Sequence, residues 1–141
     1  MYRSIMVPVD LAEPEMSKPA IEAAVSFAKS SGGVVRLVYV RSLIPVTYME
    51  FVPADFDTEQ QQDAETRLAQ IAAEVELPAE QVSAKVLMGS VQGEVLAEAE
   101  AAGTDLIVVA SHEPGMLSYV LGSNASAIVR RAKCSVLVVR R

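Results

Sequence analysis

The chemistry this chain can offer rests on Asp10, His112 and the run Gly122-Ser123-Asn124. Asp10 ends the segment Pro8-Val9-Asp10 at the close of an apolar first strand. A single carboxylate is a poor transition-metal site, because such sites want more ligands. It does suit a hydrated Mg²⁺ that bridges to phosphates, since that ion keeps most of its waters. His112, the only histidine, falls in a loop, where it serves equally well as a ligand contact or a bystander. Gly122 lets the backbone come close to a ligand. The amides after it open a helix, where unpaired N–H groups and the helix dipole stabilise an anion. Gly-Ser before a helix is also an ordinary cap. What marks this pair is its place, after a buried strand and a polar loop.

Other chemistries find no support. Asn124-Ala125-Ser126 spells a glycosylation sequon, but at a helix start. Ser30-Ser31-Gly32-Gly33 precedes a strand and so is not a phosphate loop, and neither GxxxxGK[ST] nor GxGxxG occurs. With one histidine and one cysteine, no nucleophile–base set can be assembled, so at most weak hydrolysis is expected. Cys134 begins an apolar run and reads as a small buried residue; the absence of a second cysteine fits a reducing compartment. A net charge of −6 argues against a nucleic-acid surface. The basic residues Arg130, Arg131, Lys133, Arg140 and Arg141 read as a helix C-terminus and a solvated tail. No apolar run reaches the roughly 18–20 residues that span a bilayer, and the first residues lack a signal-peptide pattern, so a soluble cytoplasmic protein is expected.

The elements that must position these residues follow from periodicity. The chain has 141 residues, enough for one domain; 51% are hydrophobic but only 5% aromatic, with no tryptophan. Such a core of Ala, Val, Leu and Ile suits helices packed on a parallel sheet. Strands are expected over 2–10, 34–40, 80–88, 105–110 and 135–139, the third of them a half-buried edge. Between them, a helix capped by Ser17 buries Ile21, Ala24, Val25 and Ala28, and glycines stop it. A polar helix over 58–75 faces inward through Ala64, Leu68, Ile71, Ala72 and Val75. A third covers 91–102 with Val91, Val95, Leu96 and Ala99 inward, and the last starts at Gly122. The irregular stretch 41–57 is either a lid over a site or an aromatic-bearing segment folded back on the core. Strict β-α alternation implies one α/β domain, a doubly wound, mainly parallel five-stranded sheet with four helices. Ligands then collect at the carboxyl edge, with Asp10 facing the loop 111–121.

Along its whole length the chain resembles the universal stress protein family. The resemblance is carried by Pro8-Val9-Asp10, the strand VVRLVYV, the segment TDLIVVASH and the closing LGSNASAIVRRAKCSVLVVR. It implies a stress-response protein that is usually a homodimer, here paired through Ser135–Val139, and that in one branch binds ATP through a Gly-x2-Gly-x9-Gly-(Ser/Thr) motif. By that resemblance Pro8, Val9 and Val40 flank the adenosine, and Asp10 lies near the phosphates or their Mg²⁺. Val109, Ala110 and His112 line the pocket, and Gly122, Ser123, Asn124 and Ala125 meet the phosphates. Ala110 and Glu113 replace the first two motif glycines, and the spacer from Glu113 to Gly122 is eight residues. The resemblance therefore implies binding of ATP or another adenine nucleotide in a regulatory role. The alternative is a nucleotide-free dimeric interaction module.

Overall fold

The computed structural model describes residues 1–43, 53–111 and 122–140. Runs of β-branched residues form five strands: β1 Ser4–Pro8, β2 Val34–Arg41, β3 Val82–Met88, β4 Leu106–Ala110 and β5 Ser135–Val139. Between them lie α1 Lys18–Ser31, α2 Phe56–Ala73, α3 Val91–Ala102 and α4 Ser123–Arg131. The strands form one sheet in the order β3-β2-β1-β4-β5, and every pairing is parallel. Because successive residues point to opposite faces, each central strand feeds two cores. Ile5, Val7, Leu37, Leu106 and Val108 pack with α1 and α2. Met6, Val38, Val40, Ile107 and Val109 pack with α3 and α4. The expected doubly wound α/β sheet is present, and it is parallel throughout.

Several local expectations are corrected. β1 is shorter than 2–10, and the chain after it folds into a 3-10 turn, Pro14–Ser17, where a loop was expected. Ser17 occupies the position before α1 but does not cap it: its backbone is helical, and its hydroxyl accepts the Asp10 N–H at 3.4 Å. The preceding turn already continues into the helix, so a cap has no role there. The buried stripe of α1 is Ala20, Ala24 and Ala28, with Ile21 and Val25 half-buried on its flank. The sheet beneath is already filled by branched side chains, and the smallest residues take the closest approach. α2 begins two residues earlier than expected and ends at Ala73, while β3 starts only after a 3-10 turn, Ala79–Gln81. β3 is an edge strand as expected, with Ser83, Ala84 and Lys85 exposed. Cys134 is half-buried rather than buried.

The pairing of β1 with β4 decides where the sheet opens. β1 pairs with β2 from Ser4 to Pro8, and Val9 still donates to Val38 O at 2.8 Å. With β4 it shares only the Ile5↔Leu106 and Met6↔Ile107 registers. At the amino end the two strands are held by Asp105, whose carboxylate accepts the Arg3 and Ser4 amides at 3.1 and 3.0 Å. The Asp105 N–H in turn donates to Ser4 O at 2.9 Å. Past Met6 the strands part, and their carboxyl ends flank a crevice.

Two substitutions test this frame. Asp105→Ala removes the acceptor for two strand amides and should cost about 1–3 kcal/mol in urea unfolding. Gly33 packs against the Arg3 backbone so closely that an added Cβ would clash with its carbonyl oxygen and Cα. Gly33→Ala should therefore also destabilise by about 1–3 kcal/mol, through overpacking where β1 starts.

Candidate nucleotide site

The crevice between β1 and β4 holds a cavity of about 340 Å³. Its floor is valine. Val9, Val40 and Val109 are buried at the ends of three adjacent strands, with Val38 beside them. β-branched side chains at strand ends give a flat apolar surface with no polar group to satisfy, which suits the face of an aromatic base. Pro8, Asp10 and Ala110 complete the strand-end wall, and Gly122, Ser123, Asn124 and Ala125 bring in the start of α4. The structure thus gathers all the residues singled out in the sequence except His112, which lies outside the described residues, as do Glu113 and Gly115.

The polar side of the cavity is supplied by α4. Gly122 precedes the helix with an extended backbone, φ −64° and ψ 160°, and no side chain caps it. The first hydrogen bond back into the helix runs from Ser126 N–H to Gly122 O at 2.9 Å. The amides of Ser123, Asn124 and Ala125 therefore have no partner among the described residues, and they sit at the positive end of the helix dipole. Arg130 and Arg131 stand in the last turn, where cations complement the other end. Gly122 does not need glycine for its dihedral angles. What it offers is the missing side chain beside the cavity.

Asp10 is exposed at the rim. One oxygen accepts the Ala12 N–H at 2.9 Å, fixing the carboxylate in a tight turn, and the other makes no hydrogen bond among the described residues. That free oxygen fits a water-clad Mg²⁺ arriving with phosphates. Among the described residues no group of three or more His, Cys, Asp or Glu could hold a metal unaided. Cys134 lies at the opposite, amino end of the sheet, and burial pushes its thiol above the ordinary value, so it stays protonated at neutral pH.

Met16, Ser17, Tyr39, Ser42, Val91 and Ile128 also line the cavity, although the sequence reading did not select them. Val38 could have been found from Val40, two residues on and so on the same face. Met16 and Ser17 could not, because the 3-10 turn that carries them to the rim was not legible. Tyr39 and Ser42 also line a second cavity of about 260 Å³ on the α2 side of the sheet. There Arg41, only 7% exposed, donates to Asp57 Oδ1 at 2.7 Å and to Gln61 Oε1 at 2.9 Å. The ends of the irregular stretch 41–57 are thereby tied to each other. Residues 44–52, the centre of the stretch expected as either a lid or a segment folded back on the core, lie outside the described residues. No helix among the described residues is long and apolar enough to cross a membrane.

Comparison with known proteins agrees with this architecture. The model of the Universal stress protein family matches residues 1–140. Universal stress protein G of Escherichia coli O157:H7 is 35% identical over 143 residues, covering 99% of this chain and 100% of the relative. Among solved structures, Universal stress protein UspA from Lactobacillus plantarum superposes with a TM-score of 0.78 at 23% identity, covering 99% of this chain and 98% of that one. A universal stress protein solved in complex with cAMP gives 0.66 at 19% identity, with 99% and 97% covered. The Archaeoglobus fulgidus protein in complex with dAMP gives 0.65 at 17%, with 99% and 98% covered. The family match over almost the whole chain and the full-length relative lead to one conclusion: the chain belongs to the universal stress protein family.

Proposed function

We propose that this protein is a stress-response protein that binds ATP or a related adenine nucleotide in the β1–β4 crevice and acts through binding rather than turnover. The observation that carries this reading is the pairing of a valine floor with the first-turn amides of α4, which have no partner among the described residues, across one cavity. The floor would take the adenine ring and the amides a phosphate. The complexes of family members with cAMP and dAMP support the ligand class. Asp10 would meet the phosphates through Mg²⁺, and Pro8, Val9, Val40, Val109 and Ala110 would enclose the nucleoside. His112, by resemblance, would complete the pocket. In this reading the role is regulatory, with at most weak hydrolysis.

A second reading, a nucleotide-free interaction module, is favoured by one observation: Ala110 and Glu113 stand where the nucleotide-binding branch has glycines. Release of ligand from denatured protein and its chromatographic identification separate the two readings. Adenine nucleotide at about 100 times its dissociation constant should stabilise the native protein by roughly 2.7 kcal/mol. Absence of both co-purified nucleotide and a nucleotide-dependent rise in Tm would defeat the first reading. Ser123→Pro is a sharper probe. Proline suits the first helical position, and the extended Gly122 before it satisfies the restriction that proline imposes. The substitution removes one amide donor, so it should leave the unliganded Tm nearly unchanged and weaken nucleotide binding about tenfold.

The same proposal includes a homodimer joined through Ser135–Val139. β5 ends the sheet, and Val136, Leu137, Val138 and Val139 are each only half-buried in the single chain. An apolar edge strand of this kind invites pairing. Val138→Lys or Leu137→Lys should give monomers by light scattering, and an unchanged dimer would rule out this interface.

A further inference from the structure

The charges around the crevice bear on which nucleotide it selects. Asp10 is the only ionisable acid or base that lines the cavity among the described residues, apart from the Tyr39 phenol. No lysine or arginine lines it among the described residues. The nearby cations are committed elsewhere. Lys18, next to Ser17 in the chain, pairs with Glu15 at 3.1 Å in solvent. Arg41 is held by Asp57 and Gln61 on the far face of the sheet. Arg130 and Arg131 stand at the opposite end of α4. Arg140 follows β5 at the same edge but does not line the cavity. The stretches 44–52 and 112–121 lie outside the described residues; by sequence they contain no lysine or arginine, one acid each, Glu50 and Glu113, and the single histidine, His112.

The donors that face the cavity are neutral. Besides the α4 amides there is Ser17, 4% exposed, whose oxygen accepts the Asp10 N–H while its own proton has no acceptor among the described residues. A buried hydroxyl proton without an acceptor is a donor held ready for a ligand oxygen. Such a set of amides and one hydroxyl can seat one phosphate group. It cannot neutralise a chain of them, and every further phosphate adds charge near Asp10 with no lysine or arginine in the described lining to offset it.

We propose that the crevice selects adenine nucleotides carrying a single phosphate group, a monophosphate or cyclic monophosphate, over free di- and triphosphates. This rests on the adenine-nucleotide reading above and sharpens it. ATP is then admitted only as its Mg²⁺ complex, because the ion supplies the positive charge that the described cavity lining lacks. The selection comes from one carboxylate and weakens when that carboxylate is neutralised.

Isothermal titration of the full chain with AMP, cAMP, ADP and ATP, each with EDTA and with excess Mg²⁺, tests the proposal. In EDTA, AMP or cAMP should bind about tenfold or more tightly than ATP, the size expected for extra charge held at contact distances near a protein surface. Mg²⁺ should close most of that gap and leave cAMP unaffected. Asp10→Asn, checked for an unchanged fold by its unliganded Tm, should raise affinity for free ATP more than for AMP. Free ATP binding as tightly as AMP in the wild-type protein, or an Asp10→Asn variant with the same AMP-to-ATP ratio, would overturn the selection and leave nucleotide binding intact. No binding of any of the four would remove the nucleotide reading itself, and this inference with it.

Discussion

Everything functional in this molecule depends on two central strands that are joined at one end and free at the other. Asp105 holds β1 and β4 together by accepting the amides of Arg3 and Ser4, and only two residue registers follow before the strands separate. A parallel sheet whose centre stays closed at the amino edge and opens at the carboxyl edge must present a wedge-shaped gap there. The reversal of strand order supplies the same place by topology: from β1 the chain winds outward through β2 and β3, then returns to β4. Helices diverge on either side of that point, and the start of α4 is left facing the gap.

Two demands meet in the gap. The strand ends must stay dry to hold the sheet together, which accounts for the buried valines at 9, 40 and 109. The helix start must find partners for its amides, and here neither a side chain nor the described backbone provides them. An apolar floor and open helix-start donors across one cavity suit an amphipathic ligand with a flat apolar body and an anionic end.

Much of this was legible from residue types alone. The limits of α3 and β5 were read correctly because capping signals and β-branched runs are local. The crevice was legible because alternating elements imply a doubly wound sheet, and such a sheet has a carboxyl edge at which Asp10, Val40, Ala110 and Gly122 must arrive. What stayed hidden depends on distant partners. Ser17 has the residue type of a cap, but its hydroxyl turns to Asp10 because the 3-10 turn brings them together. The inward face of α1 rotated onto three alanines because of the side chains beneath it, which no window of α1 contains. Asp105 looked like the first residue of a strand, and its two acceptor bonds reach a hundred residues back. Arg41 and Asp57 looked like the loose ends of a loop, whereas they are bonded to each other.

The two margins of the sheet are not alike. On β3, Lys85 reaches Glu98 of α3 at 3.2 Å, and Arg36 of the neighbouring strand meets the same carboxylate at 3.3 Å. Glu98 is only 10% exposed, so this charged triad is anchored to the body of the protein. An approaching strand would have to desolvate or displace it. β5 carries no charged side chain between Ser135 and Val139. Strand addition would thus meet a charged margin at β3 and an apolar one at β5. A contact that uses the same flank of both molecules is two-fold and self-terminating, whereas two sticky flanks would propagate into a fibre. By guarding one margin with Glu98, the fold turns a hazard of open sheets into a limit on how large an assembly can become.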